Sequence, residues 1–168
     1  MAFWIKKLNI EENPVFLKYK ISDQEFKILL EEEYKQVNQF SVKEQKLVTA
    51  LVRPLLNHSA THTFLVWDTI RLLKDWHGVK KVESHLTKEA DITFWYAGKL
   101  YAIEIETGTL LEKPKQLAQK VAYLNKKYEK RWMFIVSNKD LYWQYRKLGF
   151  STQRNEVEKN LEILLQNG

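Results

Sequence analysis

Residues 89–106 read EADITFWYAGKLYAIEIE, and this stretch decides the fold. Two runs rich in β-branched, aromatic and aliphatic residues, Asp91–Tyr96 and Leu100–Glu106, flank Ala97-Gly98. That is the pattern of a hairpin closed by a two-residue turn. Such a turn pairs Tyr96 with Lys99 and sets Asp91 directly opposite Glu104. Glu104 and Glu106, two residues apart, share one face of the strand, and Glu106 falls opposite Glu89. Opposed residues hold their Cβ atoms about 5 Å apart, and like charges facing each other destabilise a sheet. Carboxylates stacked inside the most apolar segment of the chain therefore need a positive partner. A divalent cation with oxygen ligands, Mg²⁺ or Mn²⁺, supplies one. The bland alternative is a set of acids on the exposed face of a strand.

Working outward, Val79–His85 reads as a third strand ahead of the hairpin. A helix with the stripe Phe64, Leu65, Ile70, Leu72 and Leu73 runs from about Thr61 to Trp76 and ends at Gly78. After the hairpin, Pro114 suits the first turn of a helix reaching about Tyr128. Trp132–Ser137 is a short apolar run fit for a buried strand, and Leu141–Leu148 and Glu156–Leu165 read as helices. From Thr61 onward the order is α-β-β-β-α-β, an α/β fold with a central mixed sheet flanked by helices. In the N-terminal part, Phe3–Leu8 and Val15–Ile21 read as strands, and Ser22 or Asp23 caps a helix to about Gln36. Ser41 followed by Glu44 is a capping-box pattern, predicting a second helix to about Leu56. The expected division is an N-terminal strand–helix extension over 1–40 and the main domain over 41–168.

The 168 residues fit a domain with a real core, and 45% apolar against 29% charged residues reads as globular. No apolar run has the length a bilayer needs, and the first residues lack a signal-peptide pattern. No cysteine is present, so disulfides and thiolate zinc sites are excluded, and a cytoplasmic address is expected. The net charge of +6 is uneven: Lys113–Lys147 holds ten basic residues against two acids. Basic charge gathered in one segment points to a polyanion. A zinc site at His58 and His62 lacks a third ligand, and these read as structural or surface histidines. No Walker A, G-x-G-x-x-G or G-x-S-x-G sequence is present. Trp67, Trp76, Trp95 and Trp132 are expected in the core, and Trp4 or Trp143 is free to stack on a base.

Glu-Ala-Asp91, a hairpin and Ile-Glu104-Ile-Glu106-Thr-Gly resemble the PD-(D/E)xK nuclease motif, with Ala90 where Pro is usual and Glu106 where Lys is usual. The resemblance implies a PD-(D/E)xK-like αβββαβ core and Mg²⁺ or Mn²⁺ bound by Asp91 and Glu104. It also implies an auxiliary acid from the preceding helix, Asp68. Within that superfamily, HSATHTFLVWDTIRLL, EADITF, AIEIETGT and KVAYL are similar to replication-relaxation proteins of plasmids and mobile elements.

The lysine missing at Glu106 has a candidate on the next helix. At about 100° per residue, Leu117, Val121, Leu124 and Tyr128 form the stripe facing the sheet, and Gln116, Lys120, Tyr123 and Lys127 line its edge. Lys120 can therefore reach over the strand ends with its stem packed on the sheet. Gln119 and Tyr123 also resemble the Gln-x-x-x-Tyr element of RecB-like nucleases.

These readings converge on a metal-dependent deoxyribonuclease of a phage, plasmid or mobile element. Its catalytic set is Asp91, Glu104, Glu106 and Lys120, and its metal set is Asp68, Asp91, Glu104 and Glu106. DNA, whether single-stranded, duplex or branched, is expected against Lys113, Lys115, Gln116, Gln119, Tyr123, Lys126, Lys127 and Lys130. No membrane is involved, and a homodimer is allowed. The alternative is a non-catalytic DNA- or protein-binding module on a degenerate form of the same fold.

Overall fold

Ala97 and Gly98 both take left-handed backbone angles, φ 49° and 76°, as a two-residue turn matched to strand twist requires. In the computed structural model, which describes residues 2–168, Tyr96 pairs with Lys99, Phe94 with Tyr101 and Ile92 with Ile103. This is the register that the turn imposes on the sequence.

Among the described residues the helices are α1 (Ala2–Leu8), α2 (Asp23–Glu31), α3 (Ala60–Lys74), α4 (Pro114–Tyr128), α5 (Tyr142–Arg146) and α6 (Val157–Asn167). The strands are β1 (Val15–Leu17), β2 (Lys35–Ser41), β3 (Lys46–Val52), β4 (Val79–Ser84), β5 (Ile92–Tyr96), β6 (Lys99–Glu106), β7 (Trp132–Val136) and β8 (Ser151–Gln153). The first three form an antiparallel sheet in the order β1-β3-β2, and the other five a mixed sheet in chain order. Within the mixed sheet β4, β5 and β6 are antiparallel neighbours, and β6, β7 and β8 run parallel. The order from α3 to β7 is thus α-β-β-β-α-β.

Helix α3 lies between the two sheets, which is why it is buried on several sides. Its Phe64, Leu65, Leu72 and Leu73 join one core with Val48, Ala50 and Val52 of the small sheet, Ile92, Ile103 and Ile105 of the large one, and Leu161 and Leu164 of α6. The opposite face of the large sheet, with Ala102, Phe134 and Val136, packs on Leu117 and Leu124 of α4 and Tyr145 of α5. Leu51 on the outer face of the small sheet meets Leu29 of α2, with Ile10 and Tyr34.

The N-terminal third departs from expectation. Residues 41–56 form no helix: β2 and β3 pair as a hairpin through Gln39–Val48 and Val37–Ala50. Ser41 Oγ does accept the Glu44 N–H at 3.0 Å, but as part of a turn. Val48, Ala50 and Val52 alternate with Leu51 across the strand, so period two wins because both faces have a layer to bury against. Phe3–Leu8 lies within α1 rather than a strand; Ile5 and Leu8 are partly buried against the core of Leu29 and Tyr34. The strand expected over 15–21 stops at Leu17 and gives way to a 3-10 turn at Lys18–Lys20. The helix capped by Ser22 does carry a full capping box with Glu25, yet ends at Glu31, and Glu33 at φ 66° turns the chain into β2. Residues 40 and 41, the expected boundary, both lie in β2. Trp95, expected in the core, is exposed.

Candidate active site

The hairpin register extends one pair past the end of β5 through side chains. Asp91 Oδ2 accepts the Ile105 N–H at 2.8 Å, and the Asp91 N–H donates to Glu104 Oε2 at 3.2 Å. The two carboxylates are thereby locked across adjacent strands, as the turn position implies. Lys120, in the middle of α4, forms an ion pair with Glu104 Oε1. The helix edge expected to carry Lys120 toward the strand ends thus brings its ammonium to Glu104.

His62 enters from the other layer. Ser59 caps α3 and accepts the His62 N–H at 3.1 Å, which fixes the first turn so that His62 Nε2 lies 3.2 Å from Asp91 Oδ2. His58 stacks on His62 with ring centroids 4.1 Å apart. The sequence reading set both histidines aside. The available signal was their i, i+4 spacing at a capped helix start, just before the sheet that carries Asp91.

The electrostatics follow from burying three acids together: Asp91, Glu104 and Glu106 are 6%, 1% and 3% exposed. Burial works to raise Asp91, but the bond and charge of His62, the Ile105 amide and Lys120 outweigh it and hold Asp91 below the usual carboxylate range. Glu104 is pushed well up by burial and by the Asp91 charge, against the opposing pull of Lys120. Glu106 is raised to about 7, chiefly by burial. The Tyr145 hydroxyl faces it and restrains that rise, yet neither Glu106 Oε1 nor the Tyr145 hydroxyl completes a hydrogen bond. Burial would lower Lys120, but Glu104 and its two fellow acids raise it. Neighbouring carboxylates with affinities for protons pushed apart are the arrangement that divides acid from base roles.

Glu106 gives a direct test of this balance. Its folded-state pKa of about 7 lies above the ordinary 4.5, so the folded chain binds the extra proton between these values. Stability therefore falls as pH climbs through that window, and the penalty is complete above about pH 7. Glu106→Gln is expected to stabilise the protein by about 3 kcal/mol at pH 8 and by almost nothing at pH 4. Urea unfolding at the two pH values checks this; an equal effect at both would contradict it.

Asp68 does not join the cluster. Its Oδ2 accepts the Val42 N–H at 2.7 Å and the Ser41 hydroxyl at 2.9 Å, and Arg71 Nη1 donates to its Oδ1 at 3.0 Å. It faces the small sheet, where it holds the β2–β3 turn, and its oxygens are already satisfied. Glu89 also turns away from Glu106: it accepts Lys127 Nζ at 2.6 and 2.7 Å, Tyr123 Oη at 2.9 Å and Tyr128 Oη at 3.0 Å. Tyr123 and Lys127 are thus engaged in a surface latch. Lys113, Lys115, Gln116, Gln119, Lys126 and Lys130 are exposed.

Oxygen donors suit a hard divalent cation, and the buried, unbonded Glu106 Oε1 beside the Asp91–Glu104 pair is such a donor. Among the described residues, no three His, Asp or Glu side chains are gathered as a complete ion-binding group; the Lys120 ammonium lies against Glu104 and the His62 ring against Asp91 instead. No family model matches the chain, and no curated protein and no solved structure matches it.

Proposed function

We propose that this protein is a metal-dependent nuclease of the PD-(D/E)xK type, from a phage, plasmid or other mobile element, that hydrolyses DNA phosphodiesters. The observation that carries the reading is the meeting of Asp91, Glu104 and the α4 lysine Lys120 at one strand end. The α-β-β-β-α-β order around it supports the same reading.

Asp91 and Glu104 would hold Mg²⁺ or Mn²⁺, which lowers the pKa of a bound water and neutralises charge on the phosphate. His62 fixes the orientation of the Asp91 carboxylate. Lys120 brings positive charge to where the phosphate gains negative charge, an electrostatic contribution made strong by burial. Glu106, poised at about 7, has Oε1 free to take the proton of the attacking water, since general bases work best near the ambient pH.

The rival reading, a binding module without catalysis, draws on one observation. The Lys120 ammonium already pairs with Glu104 and His62 Nε2 already lies against Asp91, with no cation required. The deciding experiment incubates purified protein with labelled single-stranded, duplex and branched DNA in Mg²⁺, Mn²⁺ or EDTA. Cleavage of at least one substrate, dependent on the cation, is expected. Folded protein that binds Mn²⁺ and cuts none of them is the binding module. Glu106→Lys refines the answer: if Glu106 is the base, cleavage is lost; if it only fills the place of a lysine, cleavage is kept.

A further inference from the structure

The parallel strands β6, β7 and β8 finish level with one another, Glu106 beside Val136 and Val136 beside Gln153. Beyond their ends lies an open groove of about 930 Å³. Thr61, Thr107, Ser137, Lys139 and Arg154 line it together with other hydroxyls and amides, and among the described residues no carboxylate lines it. The groove begins where the acidic cluster stops. Thr61 precedes His62, Thr107 follows Glu106, and the Ser137 N–H donates to the Glu106 carbonyl at 2.9 Å. Arg154 is rooted in place, its Nε donating to Ser137 O at 2.8 Å and its Nη1 to Gln39 Oε1 at 2.6 Å. A fixed guanidinium and a neighbouring lysine among neutral donors are suited to phosphate oxygens, and a preset guanidinium loses little freedom on meeting them. Open α/β sheets bind ligands outside the carboxyl ends of their strands.

We infer that this groove holds the sugar–phosphate backbone of the DNA strand, and that the lysine-rich outside of α4 is a secondary surface. The inference rests on the nuclease reading and deepens it by naming the path of the substrate. The α4 lysines are isolated on a convex helix, and Lys127 is engaged by Glu89. Lys139 and Arg154 line a concavity that also holds Thr107, next in the chain to Glu106, and Thr61, next to His62.

The chain contains no cysteine, so single introduced thiols report position without background. Asn155→Cys in the groove and Lys130→Cys on α4 would each carry a benzophenone. Each would be irradiated with a 5′-fluorescein-labelled DNA single strand, and separately with the duplex, in Ca²⁺, which takes the same oxygen ligands. Cross-linking from position 155 well above that from position 130 is expected. In parallel, Lys139→Glu is expected to weaken binding about tenfold and to lower the slope of log affinity against log salt by about one. KM for cleavage should rise with kcat held, and Lys126→Glu should change each less. Thermal melting matched to the parent protein shows that each variant is folded. Cross-linking from position 130 alone, or wild-type affinity and salt slope in Lys139→Glu, overturns the groove. If the parent protein cleaves DNA while these variants behave as wild type, the groove fails and the nuclease reading stands. If the groove cross-links but no substrate is ever cut, the nuclease reading fails and the binding path stands.

Discussion

Asp91→Asn and Glu104→Gln are each expected to lower metal-dependent cleavage by more than about a hundredfold, since even groups that only orient metal ligands contribute 10–100-fold. Both replacements keep the size of the side chain and remove its charge. In Asp91→Asn the amide oxygen can still accept the Ile105 N–H, so the hairpin end stays closed. What is lost is one charge of the anionic pair that would face the proposed cation. The two variants differ in the free protein. Asp91 is held ionised by His62, Ile105 and Lys120 despite its burial, so Asp91→Asn removes a favourable charge and gives no gain in stability. The relief of crowding belongs to Glu106, whose charge has no comparable partner. Steady-state rates on the best substrate, with melting curves alongside, check both statements. Wild-type turnover in either folded variant would remove these residues from the reaction.

The second large effect is expected at Lys120. Lys120→Met keeps the apolar stem that packs beside the sheet and deletes the ammonium, so loss of charge is separated from loss of packing. A rate reduction of about 10²–10³-fold is expected, the scale for removing one preorganised charge or donor from a buried site. Mn²⁺ binding should survive, because lysine is a donor only and not a ligand. Stability supplies a second readout. Breaking a buried ion pair from one side costs about 3–5 kcal/mol when the remaining charge is trapped. Glu104 escapes part of that cost by keeping a proton, since burial and Asp91 already push it well up. A loss of about 2 kcal/mol is therefore expected at pH 8. The sign with pH follows from Glu104. Below its ordinary 4.5 the group is protonated in both folded and unfolded chains, so the deficit fades there. It grows as pH rises and the variant must either bury an unpaired carboxylate or hold its proton. A deficit independent of pH would mean that the Lys120 charge does not act through Glu104, and no deficit at all would mean that Lys120 contributes only packing.

The hairpin and its carboxylates were legible because their signals are local. Ala97-Gly98 sets the turn, the turn sets the register, and the register places Asp91 against Glu104. Helix α4 was legible for the same reason: Pro114 opens it and one apolar stripe fixes which edge carries Lys120. The β2–β3 hairpin was not, since Ser41 with Glu44 serves a turn as well as a helix cap. Leu47, Leu51 and Leu55 fit helical spacing while Val48, Ala50 and Val52 fit a strand. Only the presence of α3 on one side and α2 on the other decides between them. Strand β8, three residues long, carries too little pattern to be seen. Asp68 and His62 illustrate the same limit at the site. Both sit on α3, and their roles are set by partners distant in sequence, the Ser41–Val42 turn for one and Asp91 for the other. The resemblance made Asp68 look like an auxiliary ligand, and the want of a third ligand set His62 aside; with α3 sandwiched between two sheets, Asp68 faces the small sheet and His62 reaches Asp91.

Anomalous diffraction from crystals soaked in Mn²⁺ tests the central claim most directly. One strong peak is predicted between the Asp91 and Glu104 carboxylates, with the Lys120 ammonium withdrawn from Glu104 to make room for the cation. Crystals that take up Mn²⁺ elsewhere while the Lys120–Glu104 and His62–Asp91 pairs stay closed would contradict it.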